Sequence, residues 1–199
     1  TQSEVVAVLI APQQDATLAE LAAQGADRVL VLDNSQLGPV CGMAVGKSLA
    51  DLVGRGNPYA VLFAATADGR DLASRLAASL ELGLTGDAMD LEIDDQGRLV
   101  QLKPALGGNV IAPILSKTLP NLVTLRPGLL SPAAADPGAK PTVEQVLAIP
   151  YEGPDVRLIK EEFQEDIRAL QISASPVLHS ANLCKSICRR TFALCKSLQ

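Results

Sequence analysis

Three short apolar runs, separated by stretches of helical spacing, constrain the fold of this chain more than any other feature. Glu4–Ile10 (EVVAVLI), Val29–Leu32 (VLVL) and Tyr59–Ala64 (YAVLFA) are rich in β-branched residues and too short for buried helices. Such near-continuous runs are strands buried on both faces, as in a parallel sheet covered by helices. Between them the period changes. Asp15 is placed to cap a helix in which Leu18, Leu21 and Ala22 share a face, and Gly25 stops it. A second helix is predicted over Val40–Val53, weakened by Gly42 and Gly46. Asn57-Pro58 is a turn ahead of the third run. After it, Leu72, Leu76 and Leu80 fall four apart beside Ala73 and Ala77, which predicts a helix over Arg70–Leu82.

Farther on, Ala88–Ile93 and Leu99–Leu102 flank Asp94-Asp95-Gln96-Gly97 and predict a hairpin. Val110–Leu115 and Leu122–Leu125 predict two more strands. The order β-α-β-α-β-α followed by strands defines an α/β domain over residues 1–130, in three layers, with a mainly parallel sheet and an attached hairpin. Ser131–Pro141 (SPAAADPGAKP) has the composition of a linker. It opens a linker and arm over residues 131–172, in which Val143–Ile149 and Val156–Ile159 are strand-like and Glu161–Leu170 is helix-prone.

Composition narrows the function. Apolar residues make up 48% of the 199 residues and aromatics 3%, so the core is aliphatic and the scarcity of rings argues against base-stacking platforms. A net charge of −5 argues against general nucleic-acid binding. The charge is uneven, because the last 33 residues carry five basic side chains and no acidic one. Cys184, Cys188 and Cys195 also crowd that end, while Cys41 stands alone. The body therefore has no disulfide framework, which predicts an intracellular protein. The sequence has no secretory signal and no apolar run of bilayer length.

Thr66-Ala-Asp-Gly-Arg-Asp follows a strand and opens a helix, where backbone N–H groups and the helix dipole favour an anion. Thr66, Asp68, Gly69 and Arg70 are thus weak candidates for a nucleotide or cofactor site. The competing reading is a helix start capped by Asp68 with Asp71 in its first turn, and it is favoured. No phosphate-loop glycine pattern is present, and two aspartates would repel a phosphate. Gly107, Gly108 and Asn109 lie between strands, where glycines admit a ligand's close approach or simply form a left-handed turn. Arg126, at the end of the last body strand, suits either an acidic partner or an internal ion pair. His179 is the sole histidine and lies outside the main domain, so triad chemistry and histidine-based metal sites are not supported. No catalytic residue and no metal ligand is assigned.

Residues 173–199 form an atypical basic, cysteine-containing tail. Over Leu183–Leu198, apolar and cysteine residues share one half of a helical wheel and Lys185, Arg189, Arg190 and Lys196 the other, which predicts a basic amphipathic helix. Its C-x3-C-x6-C spacing is not that of a zinc site.

Taken together, TADGRDLASRLAASLELGLTGDAMDLEID (66–94), LVQLKPALGGNVIAPIL (99–115) and LVTLRPGLL (122–130) resemble the alpha subunit of electron-transfer flavoproteins. GADRVLVLD and NPYAVLFAAT also fit, and the resemblance runs over about residues 4 to 170. Ser74 departs mildly, standing where the family often has proline. The resemblance implies a Rossmann-like domain of the adenine-nucleotide-hydrolase type. It implies a heterodimer with a beta subunit that carries FAD and passes electrons from flavin dehydrogenases to a quinone reductase or another acceptor. On that reading this chain is the partner-binding scaffold rather than a stand-alone enzyme, with Arg75 and Arg126 as partner contacts. The location would be the cytoplasm of a bacterium, or the mitochondrial matrix in a eukaryote. In the family, FAD sits mostly in a second domain that opens with S-G-G-R-G. Here the sequence after EDIRALQIS diverges from that pattern, so little or no flavin binding by this chain alone is expected, as in a truncated or frame-shifted alpha subunit. Two rival readings remain: a nucleotide-binding module of the related α/β class, and an interaction protein that docks through the basic tail helix.

Overall fold

The computed structural model describes residues 3–10, 15–33, 42–131, 134–150 and 191–197. Three strand–helix units open the chain. Strand β1 (Ser3–Leu9) leads to helix α1 (Asp15–Ala23), β2 (Arg28–Asp33) to α2 (Gly42–Gly56), and β3 (Ala60–Ala64) to α3 (Ala67–Leu80). Then come β4 (Leu84–Ala88), β5 (Asp90–Ile93), β6 (Leu99–Ala105), a short 3-10 turn (Leu106–Gly108), β7 (Val110–Leu115), β8 (Asn121–Leu125), β9 (Thr142–Leu147) and β10 (Thr191–Ser197).

These strands build two sheets. The larger has seven strands in the order β4-β8-β3-β10-β1-β2-β9, and the smaller has three in the order β5-β6-β7. Within the larger sheet β1 and β2, β2 and β9, β3 and β8, and β4 and β8 pair in parallel. The mainly parallel α/β class is therefore as expected. Its core is aliphatic: Val6, Val8, Leu30, Leu32, Val61 and Leu122 from the sheet meet Val45, Leu49 and Val53 of α2 and Leu72, Ala73 and Leu76 of α3. Phe63 is the one ring in this cluster. On the other face, Ala7, Leu9, Val29 and Val31 pack against Leu18 of α1.

Four expectations are corrected. The stretch Leu84–Ala88 (LTGDA), of which only Ala88 was assigned from sequence, and to the hairpin, is the outer strand of the large sheet. Gly86 and Asp87 disfavour strands, and the register against β8 shifts there, so no alternating pattern marks it. The anticipated hairpin is larger than two strands, because β7 pairs with β6 to complete an antiparallel three-stranded sheet. Val143–Ile149, assigned to an arm, forms β9 instead, which adds to the large sheet beside β2. Finally, the predicted tail helix is not found over Thr191–Ser197. That segment is β10, inserted antiparallel between β1 and β3, with Val6 opposite Leu194 and Val61 also opposite Leu194. Its sequence TFALCKS carries the short apolar run Phe192–Cys195, which suits a central strand, and a slot flanked by β1 and β3 selects the extended form over the helical one. Residues 183–190 of the predicted helix, the strand-like run Val156–Ile159 and the helix-prone Glu161–Leu170 lie outside the described residues. So do the side chains of Asp15 and Cys195, and with them the proposed Asp15 cap.

Candidate functional site at the strand ends of the large sheet

The parallel strands β3, β8 and β4 end side by side, and of the candidate residues Thr66, Asp68, Gly69, Arg70 and Arg126 lie there. Thr66 follows β3 and is the N-cap of α3, with extended backbone, and its Oγ1 accepts the Gly69 N–H at 3.1 Å. The cap is thus Thr66 and not Asp68, which sits in the first turn. Thr66 directly precedes the first helical residue and so holds the N-cap position, whereas Asp68, two residues later, is already inside the helix. The Arg70 N–H donates to the Thr66 carbonyl. The Gly69 amide is thus engaged by the Thr66 side chain and the Arg70 amide by the first helical hydrogen bond.

Gly69 has a packing cause. A Cβ built on it would lie 2.0 Å from the Ala64 carbonyl oxygen. The first turn of α3 therefore presses directly on the end of β3, and a glycine is the residue that permits it.

Arg70 and Arg126 meet through a residue that sequence reading passed over. Asp87 accepts from Arg126 Nη2 and, at 3.3 Å, from Arg70 Nη2. Its backbone has φ +62°, a left-handed conformation that aspartate tolerates better than most residues. Its N–H donates to Thr124 Oγ1 at 2.7 Å, which fixes the bend in β4. Hydrogen bonding from Arg126 holds the Asp87 carboxyl below its usual range, with the nearby charges adding to it and burial opposing it. Arg126 is raised by the same bond. No periodicity marks Asp87. Only its position at the end of a strand would have singled it out.

Arg75 lies on another face of α3. It donates to Asp71 at 2.8 Å and contacts the Met43 sulfur of α2. Gly42 and Gly46 of α2 run beneath it, each with an added Cβ within 3.4 Å of an Arg75 or Asp71 side chain. The two glycines that weakened the helix prediction make the groove in which Arg75 lies. Gly107 and Gly108 form a left-handed turn at the tip of the small sheet, with φ +71° and +93°, and Asn109 closes it. This turn joins β6 to β7 in the other sheet, away from the cluster around Asp87.

The small sheet has two unlike faces. In register, Leu99, Gln101 and Lys103 of β6 point one way with Ile114 and Ala112 opposite the latter two; Val100, Leu102 and Pro104 point the other way, opposite Leu115, Pro113 and Ile111. The first face meets the large sheet. There Leu99 packs with Ala60, Ala88 and Val123, and buried Gln101 lies 3.4 Å from Asn121. The Tyr59 hydroxyl accepts from Leu99 N–H at 2.8 Å and donates to the Gly97 carbonyl at 3.0 Å. The second face is apolar and open, with Ile111 55% and Leu115 42% exposed. No group of three metal-ligating side chains occurs among the described residues, and no described helix is long and apolar enough to cross a membrane.

An open, mainly parallel α/β sheet with a capped helix turn at its strand ends, joined to a second small sheet with an apolar face, defines a Rossmann-like α/β domain. The family profile for the electron transfer flavoprotein domain matches residues 1–150, and the chain belongs to that family. It is similar to the electron transfer flavoprotein subunit alpha of Thermoanaerobacterium thermosaccharolyticum, 39% identical over 133 residues, covering 66% of this chain and 40% of the relative. The subunit alpha of Clostridium acetobutylicum is 40% identical over 128 residues, covering 63% and 38%. The lactate dehydrogenase (NAD(+),ferredoxin) subunit LctC of Acetobacterium woodii is 38% identical over 108 residues, covering 54% and 26%. The matched stretch thus spans about two fifths of the first two relatives' own length.

Proposed function

We propose that this chain supplies the partner-binding N-terminal domain of an electron-transfer flavoprotein alpha subunit. It assembles with a beta subunit into a cytoplasmic carrier that holds FAD and relays electrons from flavin dehydrogenases to a quinone reductase or similar acceptor. The observation that carries this reading is the family match across residues 1–150, in a domain whose small sheet leaves an apolar face open. Contiguous exposed apolar surface of this kind marks association sites. The open face of β6 and β7 is the main contact, and Arg75 and Arg126 are charged contacts at other points of the surface. Thr66, Asp68, Gly69 and the Gly107–Asn109 turn serve the architecture, and FAD depends on regions beyond the described residues.

Coexpression with a beta subunit tests the assignment. The two chains are expected to copurify at one to one. A double change Ile111→Glu and Leu115→Glu is expected to abolish copurification with less than about 1 kcal/mol lost in the isolated chain, because both side chains are exposed. Copurification unaffected by that double change would remove the small sheet from the interface. Failure of any beta subunit to associate would reject the assignment itself.

A further inference from the structure

A hollow of about 290 Å³ opens between the two sheets, and Arg70, Ser74, Leu84, Asp87, Lys103 and Thr124 line it. It is set by α3 and β4 on one side and by Lys103 of β6 on the other. Asp87 is the single carboxylate among its described lining residues, and that carboxylate is already divided between Arg70 and Arg126. Lys103 has no hydrogen-bond or ion-pair partner among the described residues. Two cations, Arg70 and Lys103, thus face the hollow, and its one carboxylate is held by Arg126, which lies outside the lining.

The lining is also rich in hydrogen-bond donors. Arg70 is half exposed and spends one Nη2 contact, at 3.3 Å, on Asp87, which leaves most of its donors for a ligand. Thr124 Oγ1 accepts from the Asp87 N–H, and its own hydroxyl hydrogen has no acceptor among the described residues. Ser74 Oγ is oriented by its bond to the Arg70 carbonyl at 2.8 Å, and it fills the wall next to the guanidinium. The bend at Asp87 holds its carboxylate toward the two arginines.

We propose that this hollow is a binding site for a small dianion, namely inorganic phosphate or the phosphoryl group of a small phosphorylated metabolite. An anionic phosphoryl group suits two cations that face one hollow, with the Asp87 charge taken up by Arg126, and Arg70, Lys103 and the Thr124 hydroxyl supply donors to it. The volume sits at the low end of small-molecule sites, which favours a ligand of few atoms over a dinucleotide. The site uses a different face of α3 from Arg75 and none of the open face of β6 and β7, and it shares with the contacts assigned above only Arg126, through its pair with Asp87.

Calorimetric titration and thermal shift on the full chain test it, with inorganic phosphate against chloride at matched ionic strength. Phosphate is expected to bind saturably and to raise the melting temperature more than chloride does. Lys103→Gln breaks no contact and is expected to fold normally and to weaken phosphate binding about tenfold, the loss of one charged hydrogen bond. Arg70→Gln is expected to act likewise, whereas Arg98→Gln, whose cation pairs with Asp94 at the hairpin tip, leaves binding unchanged. A small phosphorylated metabolite tighter than free phosphate would place the phosphoryl group on a larger ligand. A phosphate response equal to that of chloride, or undiminished in Lys103→Gln, would overturn the proposal. So would loss of beta-subunit copurification in Lys103→Gln without any phosphate binding by the parent chain, because the cations would then serve a protein partner.

Discussion

At the scale of single residues, the strand ends show how little room the fold leaves. Gly69 sits where a methyl group would meet the Ala64 carbonyl at 2.0 Å. Gly69→Ala is therefore expected to destabilise the chain by about 3 kcal/mol, the upper range for overpacking, even though alanine is the better helix former. Denaturant unfolding measures it, and a stabilised variant would show that α3 does not press on β3 as described. Thr66 and Gly69 were visible in the sequence as a turn, but their roles were not: which side chain caps depends on where the first helical residue falls, and that is settled by contact with the sheet. Asp87 falls within the family-like stretch 66–94, but its role as the partner of two arginines was not legible, since it sits in an irregular strand.

Asp87 carries a pH prediction as well. Its carboxyl is held below the ordinary value by Arg126, so its contribution to stability is present above the unfolded pKa of about 3.9 and is lost as pH falls through the lower folded value. Asp87→Asn keeps a residue that tolerates the left-handed backbone and removes the charge. It is expected to cost about 1 kcal/mol at neutral pH and nothing in strong acid, with both pairs exposed enough to be screened by salt. Stability curves for the two proteins that stay parallel down to acid pH would show that the carboxylate pairs contribute nothing.

Among the elements, α3 was the most legible and packs as its pattern implied. Leu72, Ala73 and Leu76 are all buried against the sheet and α2. Leu76→Ala, at a fully buried position, is expected to cost about 3 kcal/mol through the lost contacts and the cavity left behind. A loss below about 1 kcal/mol in urea unfolding would mean that the sheet and helices close over the gap. Strands β1, β2, β3, β7 and β8 were read within a residue or two because they are short aliphatic runs. Strand β4 was missed and the role of β9 misjudged. One has a bulge in place of alternation; the other has TVEQVL on an edge beside a proline-rich stretch, where local sequence does not say which sheet it joins. The tail was misread for a related reason. Leu183–Leu198 fits a helical wheel and TFALCKS fits a strand, and the choice falls to long-range pairing.

For the molecule as a whole, β10 separates β1 from β3 and so holds two blocks of sheet together, β4-β8-β3 and β1-β2-β9. Removal of residues 191–199 is expected to lower the melting temperature and to speed amide exchange along β1 and β3. Unchanged protection would mean that β1 and β3 pair with each other once the inserted strand is gone. The parallel class and the aliphatic core could be read from the chain because they depend on composition and spacing. The strand order could not, since it depends on which edges meet.

One joint has a mechanical consequence. Between β4 of the large sheet and β5 of the small one there is a single residue, Met89, whose N–H is bonded to the Leu102 carbonyl, while the Ala88 carbonyl accepts from Arg126 N–H. A connector that short, with a hydrogen bond on each side, transmits torque and absorbs none. The small sheet is clamped to the large one like a bracket, with the Tyr59 hydroxyl as its second bolt. A load on the open face of β6 and β7 is thus felt at Asp87, two residues from the joint, and a partner seated there would meet a stiff plate in place of a flap.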